Sequence, residues 1–309
     1  MKSANVVFMG TPDFAVASLE AMISAGWRPS VVVTGVDKPR GRGQQWSPTP
    51  VKACALNHEI PVWEVDDVRD EAFAERLRNH APDLLVVVAF RILPPAVYET
   101  ARLGAFNLHG SLLPAYRGAA PIHHAVLNGD QETGVTTFLL QREVDAGAVL
   151  MQAQLSIGAD ETTGSVYERM MHLGGQVVVD TLDGLVAGNL LPVPQDAARA
   201  TPAPKVFKSD GKLRPEESAL QTYNRIRAMT PWPGAWFSHD GTMVKINAAR
   251  LVSPERQGEF THNAFYHATP GTVTVQQGRL WYHAADGPVE LTQVTPAGKR
   301  PMPGGSFTL

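Results

Sequence analysis

Runs of consecutive apolar residues alternate with apolar residues at helical spacing through the first half of the chain. The runs predict buried strands at residues 6–9, 31–33, 84–89, 105–108, 135–140 and 149–155. The helical spacing predicts helices at about 50–58, 69–80, 121–128 and 162–185, and one more after residue 13. Continuous apolar strands that alternate with helices are typical of a doubly wound, mostly parallel sheet with both faces covered. We therefore predict an α/β fold for this half.

The pattern changes near residue 189. Prolines recur at positions 192, 194, 202 and 204, which predicts a stiff linker over 189–207. Beyond it, turns separate short strand-like runs at 235–238, 244–251, 271–275, 280–283 and 289–294, after a helix at about 216–228. Spacing of this kind is typical of a small all-β barrel. The sequence thus predicts two domains, 1–188 and a smaller 208–309.

Composition narrows the class of protein. The 309 residues are 44% apolar and 18% charged, which is globular rather than disordered and too long for one small core. The single cysteine, Cys54, excludes an intramolecular disulfide and favours a reducing compartment. The first apolar run is too short for a signal peptide, and no stretch approaches the ~20 apolar residues of a membrane span. We expect a cytoplasmic protein with no membrane partner.

The net charge of −3 conceals an asymmetry between the two halves. Residues 1–188 contain 14 Lys and Arg against 21 Asp and Glu, whereas residues 189–309 contain 13 against 9. An acidic first half joined to a basic second half suits a protein whose second half binds a polyanion. Chance surface composition explains the net charge of +4 in residues 189–309 equally well.

The densest polar group of the first half follows the predicted strand 105–108. Alternate strand residues point the same way, so Asn107 and His109 are expected on one face, at the strand end where such sheets bind ligands. An amide and an imidazole can stabilise an oxygen that gains negative charge, and histidine can also move a proton. Asp145 lies in a second polar turn, from which its carboxylate could orient His109. Taken alone, each segment is equally typical of an ordinary strand end or turn.

Basic residues recur in two further segments. Lys38, Arg40 and Arg42 lie in a glycine- and proline-rich stretch that predicts a loop over 37–50, and Lys205 and Lys208 lie at the end of the linker and just beyond it. These cations could bind phosphate groups of a nucleic acid, or they could be solvated surface residues.

The remaining patterns argue against other kinds of site. The first strand-to-helix turn, Gly10-Thr11-Pro12-Asp13, lacks G-x-G-x-x-G, so the dinucleotide fingerprint is absent. No H-E-x-x-H or comparable ligand spacing occurs, so we predict no catalytic metal. Trp232 and Trp236 could stack on bases, although we expect both of them in the core.

Taken together, these segments resemble the methionyl-tRNA formyltransferase family. The element N-x-H-G-S-L-L-P-x-x-R-G is specific to folate-dependent formyltransferases, and the basic P-R-G-R-G loop and the late segments narrow the resemblance to the tRNA enzymes. The motifs that carry it are FMGTPDFA (8–15), DKPRGRG (37–43), SPTPVK (47–52), NLHGSLLPAYRGAAPI (107–122), ETGVT (132–136), VDAG (144–147), TPWPGAW (230–236) and PAGKRPM (296–302).

The resemblance implies a folate-binding catalytic domain over 1–188 and an OB-like, tRNA-binding domain over 208–309. It implies transfer of a formyl group from 10-formyltetrahydrofolate, which leaves as tetrahydrofolate, to the α-amino group of methionine on initiator tRNA. Asn107, His109 and Asp145 match the family's catalytic positions. The positions that match its folate segment are Ser111, Leu112, Leu113 and Pro114.

The resemblance also implies tRNA as the partner of the basic residues, since Arg40 and Arg42 fall on the family's tRNA-contacting loop. Lys38, Lys205 and Lys208 are expected to contribute to the same binding. We expect a monomer.

The chain departs from the family pattern at three places. Phe90-Arg91 stands where a glycine usually follows the strand, and 143–147 reads E-V-D-A-G where G-L-D-T-G is usual. Leu213-Arg214-Pro215 replaces an I-D-W-like element at the start of the second domain.

Other functions remain open at this point. A formyltransferase for glycinamide ribonucleotide usually has a glycine-rich phosphate loop after the first strand, which this chain lacks. An enzyme for amino-sugar nucleotides or a formyl-folate hydrolase would share the catalytic half, so only the second half separates them from a tRNA enzyme. A non-catalytic tRNA-binding protein would not need Asn107, His109 and Asp145.

Overall fold

The computed structural model describes residues 4–40, 45–252 and 268–308. The chain forms two compact units. The first unit comprises Met1–Pro121, Glu132–Ser156 and Tyr167–Ala203, and the second comprises Ile122–Gln131, Ile157–Val166 and Pro204–Leu309.

Strands and helices alternate along the first 120 residues. In chain order these elements are β1 (Val6–Gly10), α1 (Asp13–Ser24), β2 (Val31–Gly35), β3 (Lys38–Arg40), β4 (Gln45–Ser47), α2 (Pro50–Asn57), β5 (Val62–Val65), α3 (Glu71–His80), β6 (Leu84–Val88), α4 (Pro95–Tyr98), β7 (Ala105–His109) and β8 (Arg117–Gly118). The elements that follow are α5 (Pro121–Asn128), β9 (Glu132–Leu139), β10 (Val149–Ser156), α6 (Thr163–Ala187), β11 (Pro202–Ala203), α7 (Ala219–Ala228), β12 (Ala235–His239), β13 (Thr242–Leu251), β14 (Val273–Gln276), β15 (Arg279–His283), β16 (Pro288–Pro296) and β17 (Met302–Pro303).

The first unit is built on a seven-stranded sheet with the order β10-β9-β7-β6-β1-β2-β5. The pairs from β7 to β5 are all parallel, and β9 and β10 add two antiparallel strands at one edge. Every residue of β1, β2 and β6 is buried, as expected of strands that helices cover on both faces. The predicted doubly wound, mostly parallel sheet is therefore confirmed.

In this unit one strand was missed and one local prediction is wrong. The edge strand β5 was not expected, because its residues are mostly half-buried and it lacks the continuous apolar run of the central strands. The stretch 37–50 was expected to be a loop, yet β3 and β4 pair as an antiparallel hairpin in which Pro39 lies opposite Trp46.

The proline-rich segment after α6 packs onto the first unit up to Ala203. Val193 exchanges two backbone hydrogen bonds of 2.8 Å with Val149, and β11 pairs in parallel with β8. The domain bounds 1–188, 189–207 and 208–309 stay a prediction.

The second unit contains a six-stranded antiparallel sheet with the order β12-β13-β16-β15-β14, and β17 pairs with β16. The register of β13 against β16 shifts near residue 248, and irregularities of this kind bend a strand. Helix α7 begins at a capping box formed by Ser218 and Gln221, and its residues from Thr222 onward are buried. The predicted smaller OB-like domain after the doubly wound sheet is confirmed.

Candidate active site

His109 is the last residue of β7, and Asn107 lies two residues before it on the same face of the strand. The strand is unbroken because it pairs in parallel with β6 on one side and antiparallel with β9 on the other. Asn107 is half-buried, whereas His109 is only 6% exposed. The structure thus brings both predicted residues to the carboxyl end of a central strand.

The ring of His109 is held by two neighbours. Its Nε2 lies 2.8 Å from the carbonyl oxygen of Tyr116, and because a carbonyl only accepts, Nε2 must carry the proton in this bond. Its Nδ1 lies 3.8 Å from Oδ2 of Asp145. A proton that the ring takes up on Nδ1 would therefore lie beside the Asp145 carboxylate.

Asp145 lies in the connection between β9 and β10 with a left-handed backbone conformation, φ +54°. Its Oδ2 accepts a hydrogen bond of 2.8 Å from the backbone N–H of Gly118 in β8. Two residues on, a Cβ at Gly147 would lie 1.7 Å from the carbonyl oxygen of Leu139, so only glycine fits there. The turn is closely packed, and it places the carboxylate on the side of His109 that carries Nδ1.

A cavity with an empty volume of about 550 Å³ opens beside these residues. Asn107 and Asp145 line it, together with residues 90–93, 140–141 and 143–144. At its edge, Ile92 is 74% exposed and Val144 is 52% exposed. Large apolar side chains exposed beside a concave site are typical of a surface that a ligand covers. The segment 90–93 was missed at the sequence level, where Phe90-Arg91 was noted only as a departure.

Ser111, Leu112, Leu113 and Pro114 form the turn after β7, and this turn is bonded to the sheet. The carbonyl of Ser111 accepts from the hydroxyl of Thr136 at 2.6 Å, and the N–H of Leu113 donates to that hydroxyl oxygen at 3.0 Å. Leu112, Leu113 and Pro114 line a second cavity, with an empty volume of about 880 Å³, together with Gln152, Gln154 and Arg199. The structure places these three residues beside a cavity other than the one at Asn107, and their assignment to folate stays a prediction.

The predicted phosphate-binding residues lie in different parts of the chain. Lys38 is exposed on β3, where the adjoining strand presents Trp46 with 74% of its surface exposed. The side chain of Arg40 and all of Arg42 lie outside the described residues. In the second unit, Lys205 and Lys208 are exposed.

The two tryptophans of the T-P-W-P-G-A-W segment differ in environment. Trp232 is 55% exposed, with its ring edge-on to His123, so the expectation that it belongs to the core is wrong. Trp236 is half-buried, and its Nε1 donates to the carbonyl of Lys208 at 3.0 Å. The prolines on either side of Trp232 keep it in a surface turn rather than in a strand.

Within the described parts of the chain, one group of side chains has metal-ligand atoms within 4.8 Å of one another, namely Glu20, Cys54 and His58. The thiol of Cys54 donates to Glu20 at 3.2 Å, and Nε2 of His58 lies 3.1 Å from the same carboxylate. Burial and the Glu20 carboxylate raise the pKa of Cys54 to about 12, so the thiol is protonated near neutral pH. Hydrogen bonds account for this grouping, and the predicted lack of a catalytic metal stays a prediction.

Among the helices that the structure describes, none is both long and apolar enough to span a membrane.

Two family profiles match the chain. The family described as "Formyl transferase" matches residues 1–182, and "Formyl transferase, C-terminal domain" matches residues 205–308. Full-length relatives are similar throughout. The chain is 43% identical over 306 residues to the methionyl-tRNA formyltransferase of Chlorobium chlorochromatii and 42% identical over 306 residues to that of Moorella thermoacetica. Each alignment covers 98% of this chain and 95% of the relative.

Solved structures with lower identity share the fold. The N-formyltransferase from Helicobacter canadensis, in complex with folinic acid and dTDP-3-aminofucose, superposes with a TM-score of 0.67 at 19% identity, over 93% of this chain and 98% of that one. HypX from Aquifex aeolicus, in complex with tetrahydrofolic acid, gives a TM-score of 0.62 at 17% identity, over 97% of this chain and 46% of that one. The chain belongs to the methionyl-tRNA formyltransferase family.

Proposed function

We propose that this chain transfers the formyl group of 10-formyltetrahydrofolate to the α-amino group of methionine on initiator methionyl-tRNA, and so supplies the charged tRNA for translation initiation. The observation that carries the proposal is the grouping of Asn107, His109 and Asp145 beside a cavity, in a chain of this family. We expect the enzyme to act as a cytoplasmic monomer.

The cavity beside Asn107 suits the flat ring system of the folate. Its walls include the aromatic rings of Phe90 and Tyr98, and Ile92 and Val144 at the edge would be covered when the ring enters. Apolar walls around a few converging polar groups are the usual form of a small-molecule site. A ring bound there would hold the formyl group of its side chain near the Asn107 amide.

The transfer needs a group that stabilises negative charge and a group that moves a proton. When the neutral amine attacks the formyl carbon, negative charge develops on the formyl oxygen, and the Asn107 amide is placed to donate a hydrogen bond to it. The attacking nitrogen must then lose a proton, and the leaving nitrogen must gain one as the carbon–nitrogen bond breaks. The pair of His109 and Asp145 carries this proton, with Nε2 of His109 anchored on Tyr116 and Nδ1 facing the Asp145 carboxylate.

The acceptor requires a surface for RNA. The exposed Lys38 and Trp46 on the β3–β4 hairpin combine a cation with an aromatic ring, and both are groups that bind nucleic acids. We propose that this hairpin, together with Arg40 and Arg42, contacts the tRNA. Lys205 and Lys208 offer further cations in the second unit.

In the test, purified enzyme is incubated with labelled 10-formyltetrahydrofolate and one of three acceptors in separate reactions. The acceptors are methionyl-tRNA, an amino-sugar nucleotide and water alone. We expect label in the tRNA fraction only. Asn107→Ala and His109→Ala should each reduce turnover by roughly 10²–10³-fold, about 2.7–4 kcal/mol of barrier, while the Kd for folate stays unchanged.

Asn57→Ala and His172→Ala serve as matched controls, because Asn57 is exposed on α2 and His172 is exposed on α6. They should keep wild-type turnover. Near-normal turnover in Asn107→Ala or His109→Ala would refute the catalytic assignment, and transfer to the sugar or to water would refute the acceptor.

A further inference from the structure

The turn that contains Asp145 is held by a side chain 50 residues further along the chain. The amide nitrogen Nε2 of Gln195 donates to the carbonyl oxygen of Asp145 at 2.9 Å and to that of Gly147 at 2.8 Å. Its Oε1 accepts from Nε and Nη2 of Arg117, at 3.1 and 2.7 Å. The four bonds use the two donors of the amide and both lone pairs of its oxygen.

The orientation of this amide follows from its neighbours. Oxygen and nitrogen of a glutamine amide are usually assigned from the hydrogen-bond network. Here the backbone carbonyls of Asp145 and Gly147 can only accept, and the guanidinium of Arg117 can only donate. Only one orientation of the Gln195 amide therefore satisfies all three neighbours.

Gln195 connects to the Asp145 carboxylate from two sides. It bonds the backbone of Asp145 directly, and through Arg117 it bonds strand β8, whose next residue, Gly118, donates its N–H to the carboxylate. A shift of the glutamine would therefore move both the turn and the donor that orients the carboxylate.

The segment that carries Gln195 is itself anchored at both ends. Val193 exchanges two backbone hydrogen bonds with Val149 at the start of β10. Downstream, Thr201 accepts from the N–H of Tyr116 at 2.8 Å, and β11 pairs with β8. These contacts hold Gln195 in a defined place against the turn.

We propose that Gln195 is a positioning residue for formyl transfer, which sets the place of the Asp145 carboxylate relative to Nδ1 of His109. The proposal rests on the proposed function, in which Asp145 and His109 move the proton. Gln195 is not among the residues that line the cavity beside Asn107, so its effect should fall on the chemical step and leave the binding of folate and tRNA unchanged.

The first measurement compares kcat and KM of Gln195→Ala with those of the wild type. Small displacements of reacting groups reduce rates by up to roughly 10²-fold, so we expect kcat to fall about 10- to 100-fold while both KM values stay within about twofold. Gln176→Ala, which removes an exposed glutamine with one side-chain bond on α6, is the matched control and should be indistinguishable from wild type.

Gln195→Glu separates the hydrogen bonds that Gln195 accepts from Arg117 from those that it donates to the carbonyls of Asp145 and Gly147. The carboxylate still accepts from Arg117, but it cannot donate to the carbonyls of Asp145 and Gly147. We expect kcat of this variant to fall as far as that of Gln195→Ala. Wild-type kcat in Gln195→Glu would show that only the Arg117 contact matters, and it would overturn the proposal.

A double-mutant cycle with Asp145→Ala provides the decisive readout. If Gln195 acts through Asp145, Gln195→Ala should reduce kcat in the wild type and have little further effect in the Asp145→Ala background. An equal reduction in both backgrounds, or no reduction in either, would overturn the positioning role. If Asp145→Ala alone keeps normal turnover, the proposed mechanism fails instead, so the two failures can be told apart.

Discussion

Asp145→Asn tests the electrostatic part of the mechanism with little change of shape. Asparagine has the size of aspartate, and its side-chain oxygen can still accept the hydrogen bond from Gly118. The variant removes the negative charge that lies 3.8 Å from Nδ1 of His109. Any loss of rate therefore reports the charge rather than the packing of the turn.

The distance fixes the expected size of the effect. Two unit charges 3.8 Å apart attract by about 4 kcal/mol at an effective dielectric constant of about 20. The side chains of His109 and Asp145 are only 7% and 13% exposed, so solvent screening is limited. Because each 1.36 kcal/mol of barrier changes the rate tenfold, full loss of this attraction would slow the chemical step by about 10³-fold. We expect a reduction of roughly 10²–10³-fold in Asp145→Asn, since the carboxamide dipole replaces part of the lost stabilisation.

The assay is single-turnover transfer with enzyme in excess over charged tRNA and with saturating labelled 10-formyltetrahydrofolate. Reactions are quenched in acid, and label in the tRNA fraction gives the rate of the chemical step. The ratio of wild-type to Asp145→Asn rates should hardly change between 0.1 and 0.5 M salt, because a buried pair is screened much less than surface charges. The reasoning is refuted if Asp145→Asn keeps a rate within about fivefold of wild type, or if only its Kd for folate changes.

Three further outcomes follow from the sequence and structure. Arg40→Ala combined with Arg42→Ala should raise the KM for tRNA. The slope of log K for tRNA binding against log salt concentration should become less steep by about 1.8, or ~0.9 for each lost phosphate contact. Glu217→Ala should lower the free energy of unfolding by about 3–5 kcal/mol in a urea titration, because it leaves Arg225, only 4% exposed, without its carboxylate. Alkylation of Cys54 at pH 9 should be at least ~100-fold slower in the folded than in the unfolded protein, because burial raises its pKa to about 12 and keeps the thiol protonated.

The first two outcomes each have a control variant in the same chain. Arg76→Ala combined with Arg78→Ala removes the same charge from α3 and should leave the KM for tRNA unchanged. Arg69→Ala breaks an ion pair with Asp67 whose arginine side chain is 80% exposed, so it should leave the midpoint of the urea titration nearly unchanged. Equal effects in test and control variants would contradict the tRNA contact of Arg40 and Arg42 or the stabilising role of Glu217.

Local patterns in the sequence were sufficient to predict the central strands and the shared face of Asn107 and His109. The apolar run before Asn107 predicted β7, and the two-residue alternation of a strand then placed Asn107 and His109 on one face. The same reasoning failed for Val62–Val65, where half-buried edge residues give no continuous apolar run. It also failed for Trp232, since the number of neighbours around a large side chain depends on the tertiary fold and not on its residue type.

The contacts that hold the turn of Asp145 could not be predicted from any window of the sequence, because distant segments supply them. The resemblance to the family identified the residue, and the change of Thr to Ala at position 146 raised the question of lost hydrogen bonding. In the structure, residues outside this turn bond its key groups: Gln195 bonds the carbonyls of Asp145 and Gly147, and Gly118 bonds the carboxylate. A hydroxyl at position 146 is not needed for any of these bonds. The alanine at position 146 is therefore compatible with a well-held turn at Asp145. Ala146→Thr should leave kcat near its wild-type value, whereas Gln195→Ala should not.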